Sequence, residues 1–270
     1  MKLKEVQDRS YELLCLIDNI CSKEHVAYTL EGGAAIGAVR EKNLIPWDDD
    51  IDIKVRLEDY PAFKTAMEKH LPDYCKLMEP EAFSPHFYDF VVRIIDTRYL
   101  LRREKEEDRY YNNLQNHIGI DVFLQFHVPD NAMRRKLAYY RLSLIYGLGM
   151  GHRYDIDYGR HSGVEKAAIL VMSTIGKFIP AQMVYRHFFR VIEKYNRCQT
   201  NWEYRTWFAP ESIQPLAWHK GITYGEIRGR KFPLSSGYHE ELTQFFGDYM
   251  KPPKDRSIYI QHLDEEDRWG

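Results

Sequence analysis

The sequence predicts an α+β fold, on three observations. Short apolar runs, some strictly alternating, recur through residues 1–129 and again after residue 200. Residues 130–199 instead carry helical periodicity almost without interruption. No internal repeat or low-complexity linker separates these parts. One domain is therefore expected: a core over 1–129, a helical insertion over 130–200, and strands and a helix over 201–270 that complete it.

At the N-terminus Leu3, Val6, Ser10, Leu13, Leu14, Ile17, Ile20 and Cys21 recur at helical spacing, one face of an amphipathic helix. "VAYTL" reads as a strand, Gly32-Gly33 as the turn after it, and "AAIGAV" as a short helix packed through small residues. "DIDIKV" alternates strictly and reads as a strand, with Asp50 and Asp52 on one face and Ile51 and Ile53 on the other. Residues 58–70 look helical. "FVVRIID" and "HIGIDVFLQF" are two more strands, and the charge run "RREKEEDRYYNN" between them reads as a solvated loop or helix face. Asp130 is placed as the N-cap of "DNAMRRKLAYYRLSLIYGL". Ser162 and Glu165 form a capping box ahead of "VEKAAILVMSTIGKF", a helix expected to be buried. Pro180 opens a third helix, "AQMVYRHFFRVIEKYNR". "WEYRTWFAP" and "TYGEIRGRKFPL" return to strand character. "YHEELTQFFGDYM" is a last helix, stopped by Pro252 and Pro253.

Bulk properties exclude several classes. With 38 basic against 40 acidic side chains there is no general nucleic-acid footprint, and no nucleic-acid partner is expected. Cys15, Cys21, Cys75 and Cys198 form no Cys-x-x-Cys pair, and His25, His86, His117 and His127 lack helical ligand spacing, so zinc has little support. The N-terminus shows no apolar signal region, and no apolar run is long enough for a transmembrane segment, so a cytoplasmic protein is expected. A P-loop, Gly-x-Ser-x-Gly and Gly-x-Gly-x-x-Gly are all absent.

The informative stretch is "LEGGAAIGAVREKNLIPWDDDIDIKV", residues 30–55. On a strand the carboxylates of Asp50 and Asp52 point the same way, about 7 Å apart at the backbone. Like charges that close repel unless a cation lies between them. Hard oxygen ligands with open positions suit Mg²⁺ or Mn²⁺, which usually carries substrate phosphates. A Gly-Gly turn into a helix start offers backbone N–H groups to an anion. By itself an Asp-rich stretch is more often a solvated loop and Gly-Gly more often a simple turn. A Ca²⁺ EF-hand loop is excluded by its required Gly and Glu positions.

Gly-Gly followed at distance by Asp-Ile-Asp-Ile resembles the nucleotidyltransferase fold. The longer "EGGAAIGAVREKNLIPWDDDIDI" resembles the LicD family of phosphocholine transferases, to which fukutin and fukutin-related protein are also similar. "HIGIDVF" looks like that family's later Ile-Asp-Val/Ile-Phe strand, and "FFGDYMKPP" like its C-terminal segment, with Phe246 where Tyr is common. The resemblance spans most of the chain, the helical stretch matching in character only. It implies a nucleotidyltransferase-like core sheet with flanking helices. Asp50 and Asp52 match the metal-binding pair, and Asp121 matches the third carboxylate, which completes the metal cage or helps deprotonate the attacking hydroxyl. Gly32 and Gly33 match the phosphate-contacting turn. Arg40 is expected to contact donor phosphate or brace the acidic loop, with Asp48 and Asp49 belonging to the motif without a fixed face. Arg93 interrupts an apolar strand and needs an anionic partner, a substrate phosphate or a site aspartate. Lys231, with Arg228 and Arg230, would face a pyrophosphate or be surface charge.

The activity so implied is metal-dependent transfer of a phospho-alcohol from a CDP-alcohol donor, CDP-choline favoured, to a glycan or lipid-linked glycan. Choline would want an aromatic face, for which Tyr110, Tyr111, Trp202 and Trp207 are candidates. Two alternatives stay open. A nucleotidyltransferase would release pyrophosphate rather than CMP, and a non-catalytic scaffold would bind neither Mg²⁺ nor nucleotide. A lipid-linked acceptor would bring the chain to the inner face of a membrane as a peripheral contact. The helical insertion would supply that contact, shape the acceptor pocket or form a dimer interface.

Overall fold

The computed structural model describes residues 1–160, 163–206, 209–253 and 263. Seven strands form one sheet: β1 (Thr29–Glu31), β2 (Asp52–Arg56), β3 (Cys75–Met78), β4 (Val92–Leu100), β5 (His117–His127), β6 (Trp202–Arg205) and β7 (Gln214–Pro215). The order is β1-β2-β5-β4-β3, with β6 beside β5 and β7 beside β6. Only β2 and β5 run parallel, and every other pair is antiparallel. β5 is the spine. Its first half pairs with β4 and its end with β6, while β2 lies along its other edge.

Alternation gives this sheet two unlike faces. Ile53, Val55, Val92, Ile94, Ile120, Val122 and Leu124 point one way and are buried. They pack with α1 (Leu3–Glu24), whose apolar stripe forms as its spacing predicts, and α3 (Tyr60–His70), through Phe63 and Met67. The other face carries Glu31, Asp52, Lys54, Arg93, Asp121, Gln125 and Arg205, and is covered in part by α8 (Tyr238–Phe246) through Glu241. A short helix α2 (Gly32–Ile36) leads into a π-helical turn at Gly37–Glu41. A hairpin of β8 (Ile222–Ile227) and β9 (Arg230–Ser235) turns at Arg228-Gly229, both at positive φ, as a two-residue hairpin loop favours.

The insertion consists of α5 (Ala132–Gly149), α6 (Gly163–Gly176) and α7 (Ala181–Asn196). α7 buries Val184, Tyr185, Phe188, Val191 and Ile192 in a second core with Phe87, Phe90, Phe126 and Tyr204. The mixed α+β architecture is the one expected.

Several local expectations are corrected. β2 begins at Asp52, so Asp50 lies in the irregular segment before it, because residues 45–48 are tied to α1 instead of to a strand. α5 is capped by Asn131, whose side chain accepts from the Arg134 N–H, while Asp130 accepts from Asn201 and Thr200. The charge run includes α4 (Glu106–Tyr110) and is largely exposed, as a solvated loop or helix face should be, but Asp108 departs from it, fully buried against Arg102 at 2.9 Å. α8 stops at Gly247 (φ 63°), ahead of the prolines. α6 is mostly exposed rather than buried. Ser162 and Trp207 lie outside the described residues. Among the described residues no single helix is long and apolar enough to cross a membrane.

Candidate active site

Four charged residues stand abreast across four strands. Glu31 registers with Asp52, Asp52 with Asp121, and Asp121 with Arg93. Registered residues share a face, so β2 and β5 present Asp52 and Asp121 side by side, one strand spacing of about 4.8 Å apart at the backbone. Arg93 Nε donates to Asp121 Oδ1 at 2.6 Å. This is the anionic partner its position in an apolar strand requires. Its Nη1 is buried without a hydrogen-bond partner among the described residues. Gly119 makes room for this guanidinium: a side chain there would lie 3.4 Å from Arg93 Nη2 and 3.2 Å from Ile95. A cavity lined by Ser10, Asp49, Asp50, Arg93, Gly119 and Asp121 opens beside the row.

The acidic loop is held from four directions. Gln7 on α1 donates its side-chain N–H groups to the carbonyls of Ile45 and Asp48, both at 2.8 Å. Arg40, delivered by the π-turn, donates to the Tyr249 carbonyl and to Glu41, and its guanidinium lies 5.8 Å from the Trp47 ring. Arg40 thus joins "PWDDD" to the C-terminal "GDYM", two segments 200 residues apart in sequence. Asp49 is buried and accepts from the Leu263 N–H at 3.2 Å. The fourth anchor is the glycine turn. Gly32 sits at φ 51°, and a side chain at Gly33 would collide with Asp48 Oδ2 at 2.0 Å. The space Gly33 leaves is filled by a carboxylate of the same chain.

Burial raises the Asp52 carboxyl well above the usual range, and the charges of Asp50, Asp121, Asp48 and Glu31 push it the same way. Asp48 is raised by burial and then by Asp50 and Asp49, with Arg40 opposing. Water cannot solvate these charges and too few cations face them. Among the described residues no three Asp, Glu, His or Cys side chains converge at metal-ligating geometry, and Asp121 is turned to Arg93. The donor set nevertheless fits a hard cation: carboxylate oxygens crowded enough that a positive charge would relieve them.

Other expected residues lie apart. Lys231 is exposed on the hairpin opposite Glu226, outside the cavity lining, while Arg228 pairs with Asp8 and Arg230 with Asp18. Tyr110 and Tyr111 join an aromatic cluster with His86 and Tyr88. Tyr88 itself reaches the row, its ring 5.8 Å from the Arg93 guanidinium. Trp202 lies under Arg135 instead.

Sequence reading missed a buried ion cluster on the same face. Lys54 lies 3.2 Å from Glu31 Oε2 and also contacts Glu241, and Arg205 contacts both Glu31, at 2.6 Å, and Glu241. All four side chains are at most 5 % exposed. The cluster's signal in the sequence was polar positions in alternating strands. Gln7, polar on the apolar stripe of α1 and tied to the acidic loop, was missed as well.

With this geometry in place, comparison with known proteins decides the kinship. The nucleotidyltransferase domain family described as LicD/FKTN/FKRP matches residues 25–142. These residues are a LicD-family domain. The match contains the glycine turn, the acidic loop, Arg93 and Asp121, and ends within α5. Likeness extends past the LicD domain. The lipopolysaccharide cholinephosphotransferase LicD of Haemophilus influenzae is 25% identical over 284 residues, covering 97% of this chain and 98% of that protein. The ribitol 5-phosphate transferase FKRP of Homo sapiens is 53% identical over 139 residues, which is 50% of this chain but 22% of that protein. The mouse FKRP matches to the same extent.

Proposed function

We propose that this chain transfers a phospho-alcohol, choline favoured, from a CDP-activated donor to a glycan hydroxyl and releases CMP. The observation that carries the reading is the row of Asp52 and Asp121 abreast on β2 and β5, with Asp48 and Asp50 beside them. Likeness to LicD along nearly the whole chain supports choline as the alcohol and a lipopolysaccharide-type glycan as acceptor. Likeness to FKRP over half the chain supports ribitol phosphate as the second candidate.

In the reaction the acceptor oxygen bonds to the phosphorus that bears the alcohol. The bond from that phosphorus to the bridging oxygen of CMP breaks, and CMP leaves with the electron pair. Asp121, side chain 30% exposed and oriented by Arg93, takes the hydroxyl proton. Mg²⁺ or Mn²⁺ held by Asp50 and Asp52, with Asp121 as the third carboxylate, would supply charge neutralisation at the diphosphate. The orphaned Nη1 of Arg93 suits a phosphate oxygen. Strand-mounted Asp52 and loop-locked Asp48 and Asp50 are positioned before substrate arrives, as in-line displacement demands.

The test is release of CMP or pyrophosphate from CDP-choline, CDP-ribitol, CDP-glycerol and CTP, with Mg²⁺ and a glycan acceptor. CMP from one CDP-alcohol, lost in Asp52→Asn, is expected. Pyrophosphate from CTP with none of the CDP-alcohols consumed would replace the reading by nucleotidyl transfer.

A further inference from the structure

α6 is turned inside out. Its buried residues are Ser173 and Gly176, whereas Val164, Leu170, Val171 and Ile175 face outward, Val164 at 87% exposure. Close backbone packing is the cause. A side chain at Gly176 would lie 1.9 Å from the Leu148 carbonyl oxygen, and one at Gly151 would lie 2.3 Å from that of Ser173. α6 packs closely on the end of α5 and the turn after it, through Gly176 and Gly151, which leaves little inward room for its large residues. α5 adds a second stripe. Met133, Leu137, Tyr140 and Leu144 alternate at spacings of four and three, a single helix face, and all are exposed. Phe178, just past α6, is 84% exposed.

Charge surrounds these stripes with one sign. α5 carries Arg134, Arg135, Lys136 and Arg141 and no acidic residue, and α6 with its following turn carries Lys166 and Lys177 against Glu165. The chain as a whole is at net −2, so positive charge is gathered here. Arg134, Lys136, Arg141, Lys166 and Lys177 are exposed. Apolar faces flanked by cations are the composition of helices that lie in the headgroup region of a bilayer.

We infer that α5 and α6 dock on an anionic lipid bilayer, with the α6 side chains entering the acyl boundary and the α5 cations meeting lipid phosphates. A symmetric contact between two copies fits less well, because it would set these cations against their own counterparts. The docking is peripheral. α6 and α7 are bent 117° apart, and the apolar face of α7 is already buried in the second core. The surface also lies near the acidic row. Arg153, just after α5, donates to the Tyr88 carbonyl at 2.7 Å, and the Tyr88 ring faces Arg93. That a lipid-anchored acceptor is thereby brought to Asp121 rests on the proposed transfer; the binding surface does not.

The experiment is flotation of the full chain with vesicles of phosphatidylcholine alone or mixed with phosphatidylglycerol. Expected is salt-sensitive binding to the mixed vesicles, weak binding to the neutral ones, and roughly tenfold weaker binding for Leu170→Glu/Val171→Glu and for Arg134→Glu/Lys136→Glu. These side chains are exposed, so unchanged thermal unfolding checks the fold of each variant. Asp52→Asn is expected to float like the wild type, which separates failure of docking from failure of transfer. Absence of binding to the mixed vesicles, or variants that bind as the wild type does, would overturn the inference. So would a dimer dissolved by Leu170→Glu/Val171→Glu without any vesicle binding.

Discussion

Asp52 carries two opposed demands. Burial and four neighbouring carboxylates make its charge costly in the free protein, yet that charge is what the proposed reaction uses. Replacing it by Asn keeps the shape and removes the repulsion. Asp52→Asn is therefore expected to gain about 1–2 kcal/mol of stability in urea without divalent cations while losing roughly a thousandfold or more in turnover. A variant that is less stable and equally active would contradict both halves. The two glycines make a second contrast. Gly32→Ala meets a left-handed backbone penalty of about 1–2 kcal/mol. Gly33→Ala places a methyl group where Asp48 Oδ2 now sits, so it displaces the acidic loop. Urea unfolding and CMP release measured together are expected to show lost stability with activity largely retained at residue 32, and activity nearly abolished at residue 33. Equal losses of activity would remove the distinction.

At the scale of elements, α8 is held onto the sheet by charge. Burial opposes ionisation of Glu241, but Lys54 and Arg205 outweigh it and hold the carboxyl at about 2. Glu241→Ala would take away a carboxylate that two buried cations share, and a loss of about 3–5 kcal/mol is expected in equilibrium unfolding. His219 bonds to Ser235 and Gln214 beside this cluster, and burial together with Lys54 pushes its imidazole down to about 3. The unfolded chain takes up a proton near the ordinary value of about 6.5, which the folded state refuses. The stability this represents is complete above that value and is lost as the pH falls towards 3. Between pH 7 and 4.5 the wild type is expected to lose about 2–3 kcal/mol more than His219→Gln; parallel curves would place the proton elsewhere. Alternation in "DIDIKV" and the apolar run "HIGIDVFLQF" pointed to β2 and β5, the acidic motif pointed to Asp52, and the family resemblance of "HIGIDVF" pointed to Asp121. Alternation marked a polar face. It could not show that the polar face is covered, since a position opposite the core reads the same under solvent or under α8. Hydropathy likewise read α6 as buried, because glycine packing that turns a helix outward leaves no periodic trace. Asp50 alternates like a strand residue, but the tie from Gln7 to the loop, 41 residues away in sequence at its farthest, decides where the ladder starts.

Across the whole molecule two apolar cores meet without a seam. One joins α1 and α3 to β2, β4 and β5, and the other joins α5 and α7 to Phe87, Phe90, Phe126 and Tyr204. Leu57 and Phe189 pack against both. β5 threads the two, giving Ile118 to Leu124 to the first and Phe126 to the second, and the same strand carries Asp121. A helical insertion built this way cannot loosen without disturbing the strand beneath the acidic row. The sharpest probe is Phe188, which is fully buried and stacks on Phe90 with ring centroids 3.8 Å apart. Phe188→Ala opens a cavity in the second core and is expected to cost about 3–5 kcal/mol. If the cores are one cooperative unit, calorimetry will show a single transition in wild type and variant alike, shifted down as a whole, and CMP release will fall at the same temperature. Two separated transitions in the variant would mean that the insertion melts by itself. The acidic row would then keep its geometry while α7 unfolds, and the coupling through β5 would be absent.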